Sequence, residues 1–281
     1  MGFIIKVETV QPLTALTIAG SDSGGGAGIQ ADLRTFSAFE MHGTCAITAV
    51  TAQNTLGVGA VLAIDPDIVV AQVESVINDF SVVAVKTGML AQAATVVRVA
   101  ELARSGRLPY LVVDPVLVST SGHALMADGG AESYRDALLP LAYVVTPNIH
   151  EAAVLCRVDV HDVTNLEDMV SLAQTLLRMG PQYVLVKGGH FARTLTGERT
   201  PDVLVGRDEV TVFDAARVDT NNDHGTGCSL SAAICAGLGL GRSASDATRD
   251  AKAFVLSALN GAKAWQLGQG RGPIDHLGWN P

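Results

Sequence analysis

The sequence is short of charge, of cysteine and of long apolar runs, and each shortage removes a class of protein. Charged residues fill only 17% of the 281 positions, against 48% hydrophobic ones, so neither a disordered chain nor a coiled coil fits. Basic residues are outnumbered, 19 Lys+Arg to 28 Asp+Glu, and no basic run offsets the formal charge of −9. A polyanion is therefore repelled, which argues against general nucleic-acid binding. The four cysteines, Cys45, Cys156, Cys228 and Cys235, stand far apart with no CxxC pair and no secretory signal ahead of them. A reducing cytoplasm is the expected location. The longest nearly apolar stretch, Cys228 to Leu240, is too short and too rich in Ser, Gly and Ala to span a membrane core that needs about 20 apolar residues. Also missing are GxxxxGK(S/T), HExxH, GxSxG and any zinc-like Cys/His cluster, and Gly24 to Ala31 offers only a GxGxxA match, too weak alone to argue for a dinucleotide.

What is present is a regular alternation. Short apolar runs at Leu16–Ala19, Cys45–Ala52, Val82–Val85, Leu111–Val113, Val144–Val145 and Tyr183–Val186 read as strands. Between them, helical patterning is expected from Ile29 to about Glu40, over Asp67–Asn78, and near 91–105, 130–139 and 166–179. Such runs suit buried parallel strands joined by crossover helices, so a mostly parallel sheet with helices on both faces, wound as one domain over 1–281, is expected. Val203–Val205 and Val210–Phe213 flank a Gly-Arg-Asp-Glu turn and read as an antiparallel hairpin at the sheet edge. Two long helices, Thr226–Leu238 and Ala244–Leu267, are expected to close the chain.

Ligands of open parallel sheets bind beyond the carboxyl ends of the strands. Polar residues stand there in four places: Gly20-Ser21-Asp22, Asp114, Thr146-Pro147-Asn148 and Lys187-Gly188-Gly189-His190. Any one could be an ordinary strand-end turn. More specific is Asp219 to Cys228, where Gly225 and Gly227 allow close backbone approach just before a small-residue helix. Free amides and the positive end of a helix dipole favour a phosphoryl group there. Cys228 shares that field, which predicts a lowered thiol pKa and a role as base or nucleophile, or else it is a small buried hydrophobe like Cys235. Asn148 and Glu151, spaced i and i+3, either offer oxygens to Mg²⁺ or form a helix capping box. Asp114, as a buried carboxylate, must be paired, hydrated or metal-linked.

Taken together, these residues resemble the ribokinase superfamily, and more narrowly the hydroxymethylpyrimidine/phosphomethylpyrimidine kinases of thiamine biosynthesis. The resemblance runs through Ala19–Asp22 with Gly25–Asp32, Thr48–Thr55, Lys86–Leu90, Thr146–Asn148 with Glu151-Ala152, Lys187–His190 and His224–Cys228. It implies a ribokinase-like three-layer α/β domain that uses ATP and Mg²⁺ to phosphorylate 4-amino-5-hydroxymethyl-2-methylpyrimidine and then its monophosphate. Carried over by position, Asp32 and Gln53 would hydrogen-bond the aminopyrimidine, Gly20 would give a backbone contact, and Met89 and Val116 would form apolar walls. Lys187, Asn148 and Thr220 would serve the nucleotide, with Glu151 and Asp114 at the metal. Cys228 would take the hydroxymethyl proton while the Gly225–Cys228 amides stabilise charge on the transferring phosphate. A homodimer is implied as well. The family's opening loop often carries Pro and Ser after the Asp, whereas this chain reads Ser23-Gly24, which predicts a more mobile loop. His190 matches the family without an evident role.

The rivals are a pyridoxal or pyridoxine kinase on the same scaffold, a cysteine-dependent hydrolase for which no His and Asn/Asp partners can be assigned, and a non-catalytic sensor. Gln53 and the Lys86–Leu90 segment favour the pyrimidine.

Overall fold

The strand Thr14–Asp22 (β1) is enclosed almost from end to end, which only a position inside a sheet covered on both faces allows. A computed structural model describes residues 11–117, 129–189 and 198–280. In it, β1 pairs in parallel with His42–Asn54 (β2) on one side and Val82–Thr87 (β4) on the other. The chain therefore runs outward through β2 and Gly57–Ala63 (β3), then returns across β1 to continue in the opposite direction. That reversal between β1 and β4 is a topological switch point, where the loops beyond the strand ends splay apart and leave a crevice.

From β4 the sheet continues in parallel through Val112–Val113 (β5), Val144–Val145 (β6) and Tyr183–Lys187 (β7). Two antiparallel strands, Asp202–Gly206 (β8) and Val210–Phe213 (β9), complete it. The order is β3-β2-β1-β4-β5-β6-β7-β8-β9, so the expected hairpin does lie at an edge. The opposite edge, β3, falls in a Gly/Ala-rich segment for which no strand was expected.

Two apolar cores flank the sheet. One is closed by Pro66–Asp79 (α2), Ala93–Arg104 (α3), Ile149–Cys156 (α5) and Leu166–Leu177 (α6). The other is closed by Gly28–Ala38 (α1), Thr226–Gly239 (α7) and Ala244–Ala262 (α8). The result is the three-layer α/β domain that the alternation predicts. The segment 130–139 is helical as expected, as one α-turn, Gly130–Ser133 (α4), followed by a π-turn over Tyr134–Leu138. One expectation needs correction. The last helix ends at Ala262, short of Leu267, because residues 268–276 turn back to bond with Thr55, Asn221 and Ala258.

Candidate active site

A cleft of about 320 Å³ opens at the switch point, along the carboxyl ends of β1, β4 and β7 and the start of α7. Its floor begins with the loop after β1. Asp22 Oδ1 accepts the amide of Gly24 at 2.8 Å, while Oδ2 accepts those of Gly26 and Ala27 at 3.0 and 2.9 Å. Burial opposes the charged form of Asp22, yet hydrogen bonds from His224, Ala27 and Gly24 hold its pKa below the ordinary carboxylate value. Three amides and a histidine on one carboxylate restrain the loop, a restraint that the mobility expected from Ser23-Gly24 left out. Gly28 closes the turn at φ +58°, where a Cβ would lie 2.3 Å from the Gly20 carbonyl oxygen, so only glycine fits.

The loop ends against a second glycine turn. Gly225 stands at φ +86° as the N-cap of α7, and a Cβ there would come within 1.8 Å of the Gly26 carbonyl oxygen. No side chain caps this helix, so the first-turn amides of Gly227 and Cys228 keep their hydrogens for a ligand, at the positive end of a 14-residue dipole. Lys187, at the end of β7, stands over this turn: a Cβ on Gly227 would sit 3.4 Å from its Nζ. The predicted cup of main-chain donors, with a lysine beside it, is therefore assembled.

Lys187 Nζ also bonds Asp114 Oδ1 at 2.8 Å. Burial works against the charged lysine, but Asp114 and Glu151 outweigh it and raise the pKa. Asp114 further accepts the hydroxyls of Thr146 and Ser231, both at 3.2 Å. With these partners and 2% exposure, Asp114 anchors Lys187 and does not line the cleft as the expected metal ligand. Asn148 and Glu151 realise the capping-box alternative: Asn148 Oδ1 accepts the Glu151 amide at 2.9 Å and Glu151 Oε2 accepts the Asn148 amide at 2.8 Å. Both nevertheless border the cleft. Burial pushes the Glu151 carboxyl up to about 7, with Lys187 opposing and Asp114 adding to the rise.

At the other end, Gly20, Gln53, Met89 and Val116 line the cleft as expected. Gly20 makes room for Met89, whose Cε would lie 2.4 Å from a Cβ on Gly20. Asp32 is a correction. Its carboxylate is wholly buried in α1, bonded to Lys86 Nζ at 2.9 and 2.8 Å and to the Thr17 hydroxyl at 2.6 Å. It is therefore not among the residues that line the cleft, whereas its partner Lys86, also fully buried, is. Breaking such a pair leaves a charge without a counter-ion, at a cost of about 3–5 kcal/mol. Lys86→Met should lower the melting temperature by on the order of 10 °C, and Lys86→Met with Asp32→Asn should recover most of that. Equal melting of Lys86→Met and wild type would contradict the assignment.

Cys228 is a second correction. Its thiol lines the cleft, but burial pushes it up to about 11, outweighing the lowering by Lys86 and by the Gly28 amide. The helix terminus does not make it a resting thiolate. Thr220 is a third: its hydroxyl accepts the Asn222 amide at 3.0 Å within a turn, and it is not among the residues lining the cleft. His190 lies outside the described residues. Among the described residues, no three His, Cys, Asp or Glu side chains form a metal-binding group.

No motif marks the far wall, built by Val218, Leu230, Val255, Leu256 and Leu259 with Lys252. Lys252 Nζ is fixed by Asp202 Oδ2 at 2.5 Å and the Thr200 carbonyl at 2.6 Å. Along the chain these apolar positions are indistinguishable from ordinary core residues. His224 was visible in its motif, but its bond to Asp22 spans 202 residues.

Known proteins resemble this chain along most of its length. The family model described as phosphomethylpyrimidine kinase matches residues 22–275. A hydroxymethylpyrimidine/phosphomethylpyrimidine kinase of Rhizobium meliloti (strain 1021) is 47% identical over 265 residues, covering 94% of this chain and 96% of the relative. The solved phosphomethylpyrimidine kinase of Clostridium difficile 630 superposes with a TM-score of 0.76 at 40% identity, covering 88% of this chain and 99% of that one. The pyridoxal kinase of Staphylococcus aureus, solved with ADP and with AMP-PCP, gives 0.85 at 33% identity over 96% of each chain.

Proposed function

The chain belongs to the phosphomethylpyrimidine kinase family, and from that premise we propose how its cleft works. It transfers the terminal phosphoryl group of ATP to the hydroxymethyl oxygen of 4-amino-5-hydroxymethyl-2-methylpyrimidine, then phosphorylates the monophosphate to the diphosphate used in thiamine biosynthesis. The observation that carries this reading is the uncapped start of α7, with Lys187 at one side and Gln53 and Met89 on the acceptor side of the same cleft. Phosphoryl transfer asks mainly for positioning and charge stabilisation, which this arrangement supplies.

In the first transfer, the pyrimidine lies against Gly20, Met89 and Val116, with Gln53 hydrogen-bonding its amino and ring-nitrogen edge. The terminal phosphate rests on the Gly225–Cys228 amides and Lys187. As the hydroxymethyl oxygen bonds to phosphorus and the bond to the ADP oxygen breaks, the hydroxyl proton passes to Cys228 in its minor thiolate form, the thiol having first lost its own proton to solvent. The second acceptor is already an anionic phosphate and needs no such base. The whole chain, 1–281, acts as one kinase domain.

Mg²⁺ is part of the proposal. Such an ion takes one or two carboxylates, with phosphate oxygens and waters completing its shell, and Glu151 beside Asn148 meets that modest requirement. Bound there, it would offset the phosphate charge. Because Glu151 is pushed up to about 7, its carboxyl is protonated, and a poor ligand, below that pH. Affinity for Mg²⁺-ATP should therefore weaken as pH falls through about 7 and level off above it. Calorimetric titration across pH 6–8 (roughly one unit either side) checks this; Glu151→Gln should flatten the dependence, and an unchanged slope in that variant would remove Glu151 from the site.

A homodimer is proposed as well, supported by the exposed Leu56, Val61 and Leu62 on the hairpin at the β3 edge. A cytoplasmic location is supported by the absence, among the described residues, of any helix long and apolar enough to cross a membrane, and by four cysteines that are all free. Pyridoxal or pyridoxine phosphorylation is the second reading, favoured by the likeness to the S. aureus pyridoxal kinase. An ATP-coupled assay with the pyrimidine, its monophosphate and pyridoxal tests both. The pyrimidine should have the highest kcat/KM, and a ratio strongly favouring pyridoxal would overturn the choice.

A further inference from the structure

A carboxamide looks alike to shape from either end, so a glutamine free to turn over reads a donor–acceptor edge and its mirror equally well. Gln53 is not free to turn. The carboxamide is placed with Oε1 3.2 Å from Thr51 Oγ and Nε2 3.2 Å from His224 Nε2, but its two ends have the same shape and turning it over exchanges only O for N. The neighbours' hydrogens decide which end is nitrogen.

Thr51 has a single hydroxyl hydrogen, and its shorter contact, 2.9 Å, gives that hydrogen to the Ser21 carbonyl. Toward Gln53 it is left with lone pairs, so it accepts an N–H. On the other side, His224 Nε2 lies 3.0 Å from Asp22 Oδ2. A carboxylate only accepts, and Asp22 is kept ionised by the loop amides and by His224. His224 Nε2 must then carry its one hydrogen whether the imidazole is neutral or cationic; with no in-plane lone pair left it cannot accept an N–H from Gln53, and only the carboxamide oxygen can share that hydrogen with Asp22 Oδ2. Both neighbours ask for the same orientation, Nε2 toward Thr51 and Oε1 toward His224. The Gln53 backbone is fixed too, its amide donating to Ser23 Oγ at 2.8 Å and its carbonyl accepting the Ser23 hydroxyl at 2.6 Å.

We propose that Thr51 and the His224–Asp22 pair are positioning residues that lock the Gln53 carboxamide in one orientation. The cleft then selects a ring carrying an amino donor beside an acceptor nitrogen and rejects the oxo counterpart, whose ring N–H and carbonyl present the opposite pattern. The proposal rests on the reading that Gln53 faces the acceptor ring. Locking matters because a mismatched edge leaves two buried polar contacts unmade.

The test compares kcat/KM for 4-amino-5-hydroxymethyl-2-methylpyrimidine with that for its 4-oxo analogue. Wild type should favour the amino ring by at least about 100-fold. Thr51→Val, which keeps the shape and removes the acceptor, should cut that preference by about tenfold or more, and Thr51→Ser should keep it. A merely structural loss would lower both substrates together and leave the ratio alone. If Gln53→Ala lowers the ratio while Thr51→Val does not, the lock is wrong and the role of Gln53 stands. If Gln53→Ala keeps the wild-type ratio, the reading beneath the proposal fails. Should Thr51→Val not fold, the wild-type side-chain amide resonance of Gln53 decides, assigned by its loss in Gln53→Ala. A nuclear Overhauser contact from its NH₂ to the Thr51 methyl supports the lock, and one to the His224 ring in its place overturns it.

Discussion

Gly225→Ala should lower kcat by about 10²–10³ for both phosphoryl transfers while the protein still folds. Two effects converge at this position. Its φ of +86° is one that an alanine adopts only at a cost of about 1–2 kcal/mol. Its new Cβ would fall 1.8 Å from the Gly26 carbonyl oxygen and 3.2 Å from Ala27 Cα, so the two glycine turns must move apart. That movement displaces the amides that receive the phosphate, and losing one such donor typically raises a barrier by about 2.7–4 kcal/mol. Gly241→Ala separates strain from clash, since Gly241 has nearly the same φ, +81°, with nothing within 4 Å of its Cβ position. It should cost a little stability and no activity. Steady-state kcat for both acceptors, with thermal melting of each variant, checks the pair. Wild-type turnover in Gly225→Ala would mean that the start of α7 does not hold the transferring group.

Cys228→Ala should reduce kcat for the hydroxymethyl acceptor by about 10²–10⁴, the usual contribution of general-base catalysis, with KM little changed. Phosphorylation of the monophosphate should suffer less, because that acceptor brings no proton to remove. The pH dependence separates a base from a wall residue. Burial pushes the thiol up to about 11, so at neutral pH the reactive thiolate is a minor species that grows about tenfold per pH unit. First-transfer kcat should rise with pH across the neutral and mildly alkaline range in wild type and lose that rise in Cys228→Ala. An Ala variant with wild-type first-transfer kcat, or with the same pH slope, would remove Cys228 from proton transfer.

Chemistry that is local is legible along the chain, and chemistry that depends on packing across the sheet is not. The Gly225–Cys228 turn was readable because glycines before a small-residue helix have few other uses. Lys187 at the end of an apolar run likewise marked itself. Asn148 and Glu151 were readable in two ways, and the realised capping box still leaves both at the cleft. Asp32 misled because its partner, Lys86, lies 54 residues away on β4, and nothing near position 32 shows that α1 buries this carboxylate. Cys228 misled for a related reason: the chain shows a helix start but not the burial that pushes the thiol up to about 11. The strand β3 was missed because Gly57–Ala63 is mostly small residues at an exposed edge, where little side-chain burial shapes the pattern. Thr51 passed unnoticed, since a threonine on a strand carries no mark of the carbonyl and carboxamide that flank it.

The most direct test is a crystal structure with a non-hydrolysable ATP analogue, Mg²⁺ and the hydroxymethylpyrimidine bound together. The terminal phosphate should lie within hydrogen-bond distance of the Gly227 and Cys228 amides and of Lys187, with the hydroxymethyl oxygen facing it and the ring edge on Gln53. A terminal phosphate seated away from the first turn of α7, or a ring that does not meet Gln53, would contradict the account.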